Sequence, residues 1–144
     1  MCGITTNGST WCWGSNRNGE LGDPSIPSQA TPTQVQGLPE LSRIYGAGGA
    51  FTLPSAPAFA CGLTSGGEAW CWGGTIRGGL WEGPTDGPIR VEPGIRFRNL
   101  GLGAEHLCGV TTEGWAFCGG GNYAGQLGDG TSQDRAPMVG VVRP

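Results

Sequence analysis

The stretch CGITTNGSTWCWG, Cys2 to Gly14, separates two cysteines by nine residues around a central Asn7-Gly8. The same arrangement returns as CGLTSGGEAWCWG at Cys61–Gly73 and as CGVTTEGWAFCGG at Cys108–Gly120. All six cysteines of the chain fall in these three copies. Asn-Gly and Gly-Gly steps between β-branched and aromatic residues mark tight hairpins. With the turn centred near Asn7, Gly66 or Glu113, equal residue counts on both sides set the two cysteines opposite each other on adjacent strands. Opposed residues have Cβ atoms about 4.5–5.5 Å apart, and strand twist closes that gap to the roughly 3.5–4.5 Å of a disulfide. The spacing therefore predicts Cys2–Cys12, Cys61–Cys71 and Cys108–Cys118. Buried free thiols are the competing reading; three identical spacings favour pairing.

A second shared phrase follows each hairpin: NRNGELGD at Asn16–Asp23, TIRGGLWEG at Thr75–Gly83 and NYAGQLGDG at Asn122–Gly130. Next come PTQV from Pro32, PIRV from Pro88 and PMVGVV from Pro137. Apolar segments ending in glycine, LSRIYGAGG from Leu41 and FRNLGLGAEH from Phe97, separate the copies. Repeat units of approximately 2–60, 61–107 and 108–144 result, with the extra length of the first placed in a loop around Thr52–Ala58. Each unit reads as four short strands divided by turn residues. No segment keeps a helical apolar period, and 30 glycines with 11 prolines disfavour long helices. Four strands recurring at this spacing indicate blades of a β-propeller; a solenoid of β-coils is the alternative, with repeats that are usually shorter.

Composition narrows the partners. Net charge is −3, and all eight basic residues are arginine, a compositional mark of a GC-rich coding source. No basic stripe runs along the chain, which argues against nucleic acid. No apolar run approaches the roughly 20 residues of a membrane-spanning helix. Met1 precedes Cys2 without a charged or apolar leader, whereas the cysteines point to an oxidising compartment, extracellular or periplasmic, for the parent protein. Either Met1 heads an excised piece or the cysteines stay reduced; the cysteine pattern favours the first.

The succession C-x-[LIV]-T-x-x-G-x-x-[WF]-C-W-G, then N-x-x-G-Q-L-G-D-G, then P-x-x-V resembles the regulator of chromosome condensation repeat. The third copy, HLCGVTTEGWAFCGGGNYAGQLGDGTSQDRAPMVGV, carries it best, and the match extends over nearly the whole chain in three copies. Two departures stand out. Leu80-Trp81-Glu82 replaces Leu-Gly-Asp in the second copy, and Gly119 replaces the tryptophan of Trp13 and Trp72 in the third. The resemblance implies a propeller, usually of seven blades. From Cys2 onward the chain supplies the last three strands of one blade and two complete blades. The expectation is a segment of a longer propeller, or a protomer whose ring closes by homo-oligomerisation.

Catalytic chemistry is sparsely supplied. The single histidine, His106, reads as a structural residue of an inner strand, and no Gly-x-Ser-x-Gly elbow occurs. Cysteines nine residues apart suit strand pairing better than the close pairs of a zinc site. GDGTSQD at Gly128–Asp134 loosely resembles a calcium loop but lacks the alternating aspartates and the distal glutamate. An aspartate holding its own turn is the plainer reading of Asp23 and Asp129, and Glu20, Glu82 and Asp134 recur in the same segments. No catalytic residue, metal ligand or cofactor is predicted.

Trp11 and Trp13 alternate with Cys12, as Trp70 and Trp72 do with Cys71. Alternation sets each tryptophan pair on one sheet face and the cysteine on the other, so the tryptophans should fill the space between blades. Trp81 and Tyr123, both in the phrase after a hairpin, are the candidate exposed contacts for a ligand or partner. The leading expectation is a non-enzymatic protein-interaction scaffold whose partner is another protein or further copies of itself. Relatives implied by the resemblance include an exchange factor for a small GTPase and secreted bacterial β-lactamase inhibitors. A carbohydrate-binding propeller using exposed aromatics is the alternative, and a hydrolase or lyase built on His106 a third.

Overall fold

The computed structural model describes residues 1–47, 58–74, 76, 80 and 86–142. Among these there is no helix; eleven strands form three antiparallel sheets. The first sheet holds β1 (Cys2–Ile4), β2 (Thr10–Gly14) and β3 (Gln29–Gln34). The second holds β4 (Arg43–Ala47), β5 (Phe59–Leu63), β6 (Ala69–Gly73) and β7 (Ile89–Val91). The third holds β8 (Phe97–Leu102), β9 (His106–Thr111), β10 (Ala116–Gly120) and β11 (Arg135–Gly140). Strands run in chain order across each sheet, the meander of a propeller blade. Trp81, Glu82 and the loop at 52–57 lie outside the described residues.

The cysteines set the register. Cys2 pairs with Cys12, Cys61 with Cys71 and Cys108 with Cys118, and each pair is disulfide-bonded with Cα atoms 4.0–4.1 Å apart. These are the pairings expected from the nine-residue spacing. Each hairpin turns in the same way. The Thr5, Thr64 and Thr111 amides donate across the turn to the carbonyls of Ser9, Glu68 and Trp115, and the Gly8, Gly67 and Gly114 amides donate to the carbonyls of those threonines. The three glycines have φ of 81°, 79° and 90°, a left-handed conformation that costs a side-chain-bearing residue about 1–2 kcal/mol.

Two cores hold the sheets face to face. Cys12, Leu21 and Val35 of the first sheet and its loops pack against Leu41, Ala60 and Trp72 of the second. Phe59, Cys61, Leu63, Ala69, Cys71 and Val91 of the second pack against Phe97, Leu100, Leu107 and Met138 of the third. So Cys71 faces forward to the next sheet while its neighbour Trp72 faces back, as alternation requires. Trp72 is fully buried and its indole Nε1 donates to the Glu20 carbonyl, 3.2 Å away. At the second interface Gly119 stands where a tryptophan would point. A Cβ there would come within 3.0–3.1 Å of Met138 and Leu80. Those two side chains occupy the space that an indole takes one sheet earlier.

Polar bonds join the second and third sheets. The Tyr45 hydroxyl donates to Asn99 Oδ1 at 2.7 Å, Arg43 Nη1 to the Arg98 carbonyl at 2.8 Å, and the Met138 amide to Glu92 Oε1 at 2.8 Å.

Candidate interaction surface

The sheets present two ends, and different segments build each. At one end stand the three hairpin turns. Thr5–Gly8, with Glu40, Leu41 and Ser42, line a surface hollow that also reaches Ser65 at the tip of the second hairpin. Thr64–Gly67 line the next hollow with Arg43, Arg98 and Thr112, the last belonging to the third hairpin. Ser42 and Ser65 border both, so the three tips form one continuous row.

Charge along this row is partly neutralised. Glu68 accepts from Arg96 Nη1 at 2.6 Å and from Arg90 Nη2 at 2.9 Å. The Arg96 hydrogen bond, with the charge of Arg90 behind it, holds the Glu68 carboxyl below its usual range. The Thr112 hydroxyl donates to Glu113 Oε1 at 2.8 Å and lowers that carboxyl too. Beside them Trp115 is 54% exposed. It stands where the first two hairpins carry Ser9 and Glu68, a difference readable from the aligned hairpins.

The opposite end is built from the loops that follow the hairpins. Asn122 is buried at the centre of one. Its Oδ1 accepts from the Leu127 amide at 3.0 Å, and its Nδ2 donates to the Gln133 carbonyl at 2.9 Å and the Thr131 carbonyl at 3.1 Å. Asn16 does the same work in the first copy, with Leu21 N at 2.8 Å and the carbonyls of Asp23 and Ile26 at 2.7 and 2.8 Å. A buried amide that satisfies three backbone groups at once holds such a loop in one conformation.

The aspartates hold their own turns. Asp23 Oδ1 accepts from the Ser25 amide at 2.8 Å, and the Ser25 hydroxyl chiefly lowers its pKa. Asp129 accepts from the Thr131 amide at 2.9 Å and from Arg135 Nε at 2.6 Å. Arg135 first, then Thr131, hold the Asp129 carboxyl far below the ordinary range. Both of its oxygens are engaged by protein donors.

Tyr123 projects from the Asn122 loop and is 73% exposed. It and Trp115 flank opposite ends of β10, so the structure does not bring them together. Trp81 lies outside the described residues. His106 sits on β9 opposite Gly120, its imidazole over the space a Cβ on Gly103 would need.

Residues 7–53 match the family model of the regulator of chromosome condensation (RCC1) repeat. That stretch, about a third of the chain, is similar to one regulator of chromosome condensation repeat. Among curated relatives, the mitochondrial RCC1 domain-containing protein RUG3 of Arabidopsis thaliana is 30% identical over 70 residues, 49% of this chain and 14% of its own length. Solved structures align along 99% of this chain. Human WBSCR16 does so with a TM-score of 0.76 at 19% identity, over 37% of its own chain. Prp20p of Saccharomyces cerevisiae, studied for its binding to Gsp1p and histones, gives 0.72 at 16% identity, over 36% of its chain. Yeast RCC1 (Prp20) bound by Kap60 gives 0.75 at 17% identity, over 35%. The chain thus spans a little over a third of these structures and about a seventh of the curated relative, and the likeness establishes the propeller-blade architecture.

Proposed function

We propose that this chain is a non-enzymatic protein-interaction scaffold of RCC1 repeats, with units of approximately 2–60, 61–107 and 108–144. One observation carries the reading: three hairpin tips with the same turn hydrogen bonds, each stapled by a disulfide, stand in a continuous row and expose Trp115 at its end. Rigid display of turn side chains lowers the ordering cost of binding. An exposed tryptophan beside paired charges has the make-up of an interface anchor. Protein binding by the structurally similar Prp20p supports the same class of partner. Tyr123, on the tightly tied Asn122 loop, is proposed as a contact at the opposite end, with Trp81. Other copies of the chain are proposed among the partners. The three disulfides support an oxidising compartment for the parent protein, although the RUG3 relative is mitochondrial.

The lectin alternative gains nothing from the geometry, because sugar platforms need aromatics on one surface and Trp115 and Tyr123 flank opposite ends of β10. The test is a binding screen with the disulfide-bonded chain, wild type beside Trp115→Ser and Tyr123→Ser. The reading expects a saturable protein partner whose affinity falls at least about tenfold in Trp115→Ser. A partner indifferent to both changes, or measurable turnover that depends on His106, would contradict it.

A further inference from the structure

Half of the chain's eight basic residues, Arg43, Arg90, Arg96 and Arg98, gather at the hairpin-tip end of the second and third sheets, in a chain whose net charge is −3. They divide into two pairs with different surroundings. Arg90 and Arg96 both bond Glu68, at 2.9 and 2.6 Å. Arg43 and Arg98 are exposed and both line the hollow between the second and third tips. Among the described residues neither is bonded to a carboxylate. Glu113, on the third tip, accepts from the Thr112 hydroxyl instead.

The backbone brings these two side chains to one place. Phe97 pairs with Thr111 and Asn99 with Val110, so Arg98 between them is the extra residue of a β-bulge. A bulge interrupts regular pairing and re-aims the side chain it carries. Arg43, at the start of β4, donates through Nη1 to the Arg98 carbonyl at 2.8 Å. That bond ties its guanidinium to the bulge but supplies no counter-charge. Two guanidinium groups on one hollow repel each other until an anion joins them. A carboxylate fits, because a planar guanidinium donates two parallel hydrogen bonds to its two oxygens.

The surroundings select among anions. Glu40, Glu68 and Glu113 stand along the same row of tips. A nucleic-acid strand, charged at every phosphate, would meet repulsion on both sides of the hollow. A volume of about 290 Å³ is at the lower edge of small-molecule pockets and suits one or two side chains from another surface.

We infer that this hollow binds an acidic segment of a partner protein, with an Asp or Glu carboxylate seated on Arg43 and Arg98. The inference rests on the interaction-scaffold reading and names the chemistry of the partner at the hairpin tips. Charges at the rim of an interface govern partner choice more than tightness, so the arginines select and Trp115 anchors.

The test is an array of short acidic peptides, each printed beside its Asn/Gln counterpart, with a phosphopeptide and single-stranded DNA as further probes. The disulfide-bonded chain is applied as wild type, Arg43→Gln, Arg98→Gln and Arg17→Gln. Arg17 is exposed on the loop at the opposite end and serves as the control. Wild type is expected to prefer acidic peptides to their amide counterparts, and the preference to shrink as salt rises. Arg98→Gln keeps the backbone carbonyl that receives Arg43, and is expected to weaken acidic-peptide binding at least about fivefold. Arg43→Gln is expected to do the same, and Arg17→Gln to bind as wild type does. No binding to acidic peptides, no preference for carboxylate over amide, or stronger binding to the phosphopeptide or DNA would overturn the inference. So would Arg43→Gln and Arg98→Gln that bind as wild type does. A protein partner lost in Trp115→Ser yet kept in both arginine variants would overturn it and leave the scaffold reading standing.

Discussion

Trp72 and Glu20, 52 positions apart in the chain, meet where the indole Nε1 donates to the backbone carbonyl at 3.2 Å. That bond marks the place where one sheet locks onto the next. A fully buried indole brings a large apolar area and one polar tip, and here both are satisfied, by Leu21 and Val35 around the ring and by the Glu20 carbonyl at the nitrogen. Trp72→Ala removes the filling of the first interface and leaves a cavity. We expect a loss of about 3–5 kcal/mol, measured by urea unfolding. A change below about 1 kcal/mol would mean that the sheets do not depend on this contact.

Asn122 supports the loop at the other end of the third sheet. Replacing it with alanine strips partners from the Leu127 amide and from the carbonyls of Thr131 and Gln133. Leaving even one such group buried and unpaired costs about 1–3 kcal/mol. Asn122→Ala should therefore lower stability by at least that amount and speed amide exchange at Leu127 before the sheet strands exchange. Exchange at Leu127 unchanged in the variant would refute the role.

The disulfides should not be equivalent. Each closes a hairpin of about ten residues, which stabilises by about 2–3 kcal/mol in the chain-entropy model. Cys61 and Cys71 are both fully buried in the larger core, while Cys2 and Cys108 are half-buried. Replacing both members of a pair with alanine should thus cost most at Cys61/Cys71, where a cavity adds to the lost cross-link. Equal losses at all three pairs, read from thermal unfolding, would contradict this ordering.

Acid should loosen the Asn122 loop. Asp129 is held well below its ordinary value of 3.8, chiefly by Arg135. A depressed carboxylate contributes stability that is complete above its unfolded value and is lost as pH falls towards the folded one. The melting temperature difference between wild type and Arg135→Gln should be constant from neutral pH down to about 5 and shrink below about 4. A difference that grows on acidification would carry the wrong sign.

The hairpins were legible because a disulfide couples sequence spacing directly to strand register: nine intervening residues leave Cys2 opposite Cys12 and little else to choose. The alternation of Trp70, Cys71 and Trp72 likewise declared which residues share a face. Alternation says nothing about what lies across that face, however, so it could not distinguish the buried Trp72 from the half-buried Trp13. Gly119 looked like a departure from the repeat, yet Leu80 and Met138 fill the space, a compensation that only coordinates reveal. Asn16 and Asn122 recur in the sequence, but their purpose depends on where three backbone groups point. Trp115 was visible as a tryptophan where other copies have Ser9 and Glu68. Its exposure depends on the turn geometry around Gly114.

The most direct measurement on the whole account is the disulfide map of the unreduced chain, read by proteolysis and mass spectrometry. Pairing within each hairpin is what aligns the strands of every sheet, and through them the faces that meet at Trp72 and the row of turns that ends at Trp115. The account predicts Cys2–Cys12, Cys61–Cys71 and Cys108–Cys118, with no free thiol. A bond between cysteines of different hairpins, or six unbonded thiols in protein kept under oxidising conditions, would contradict it.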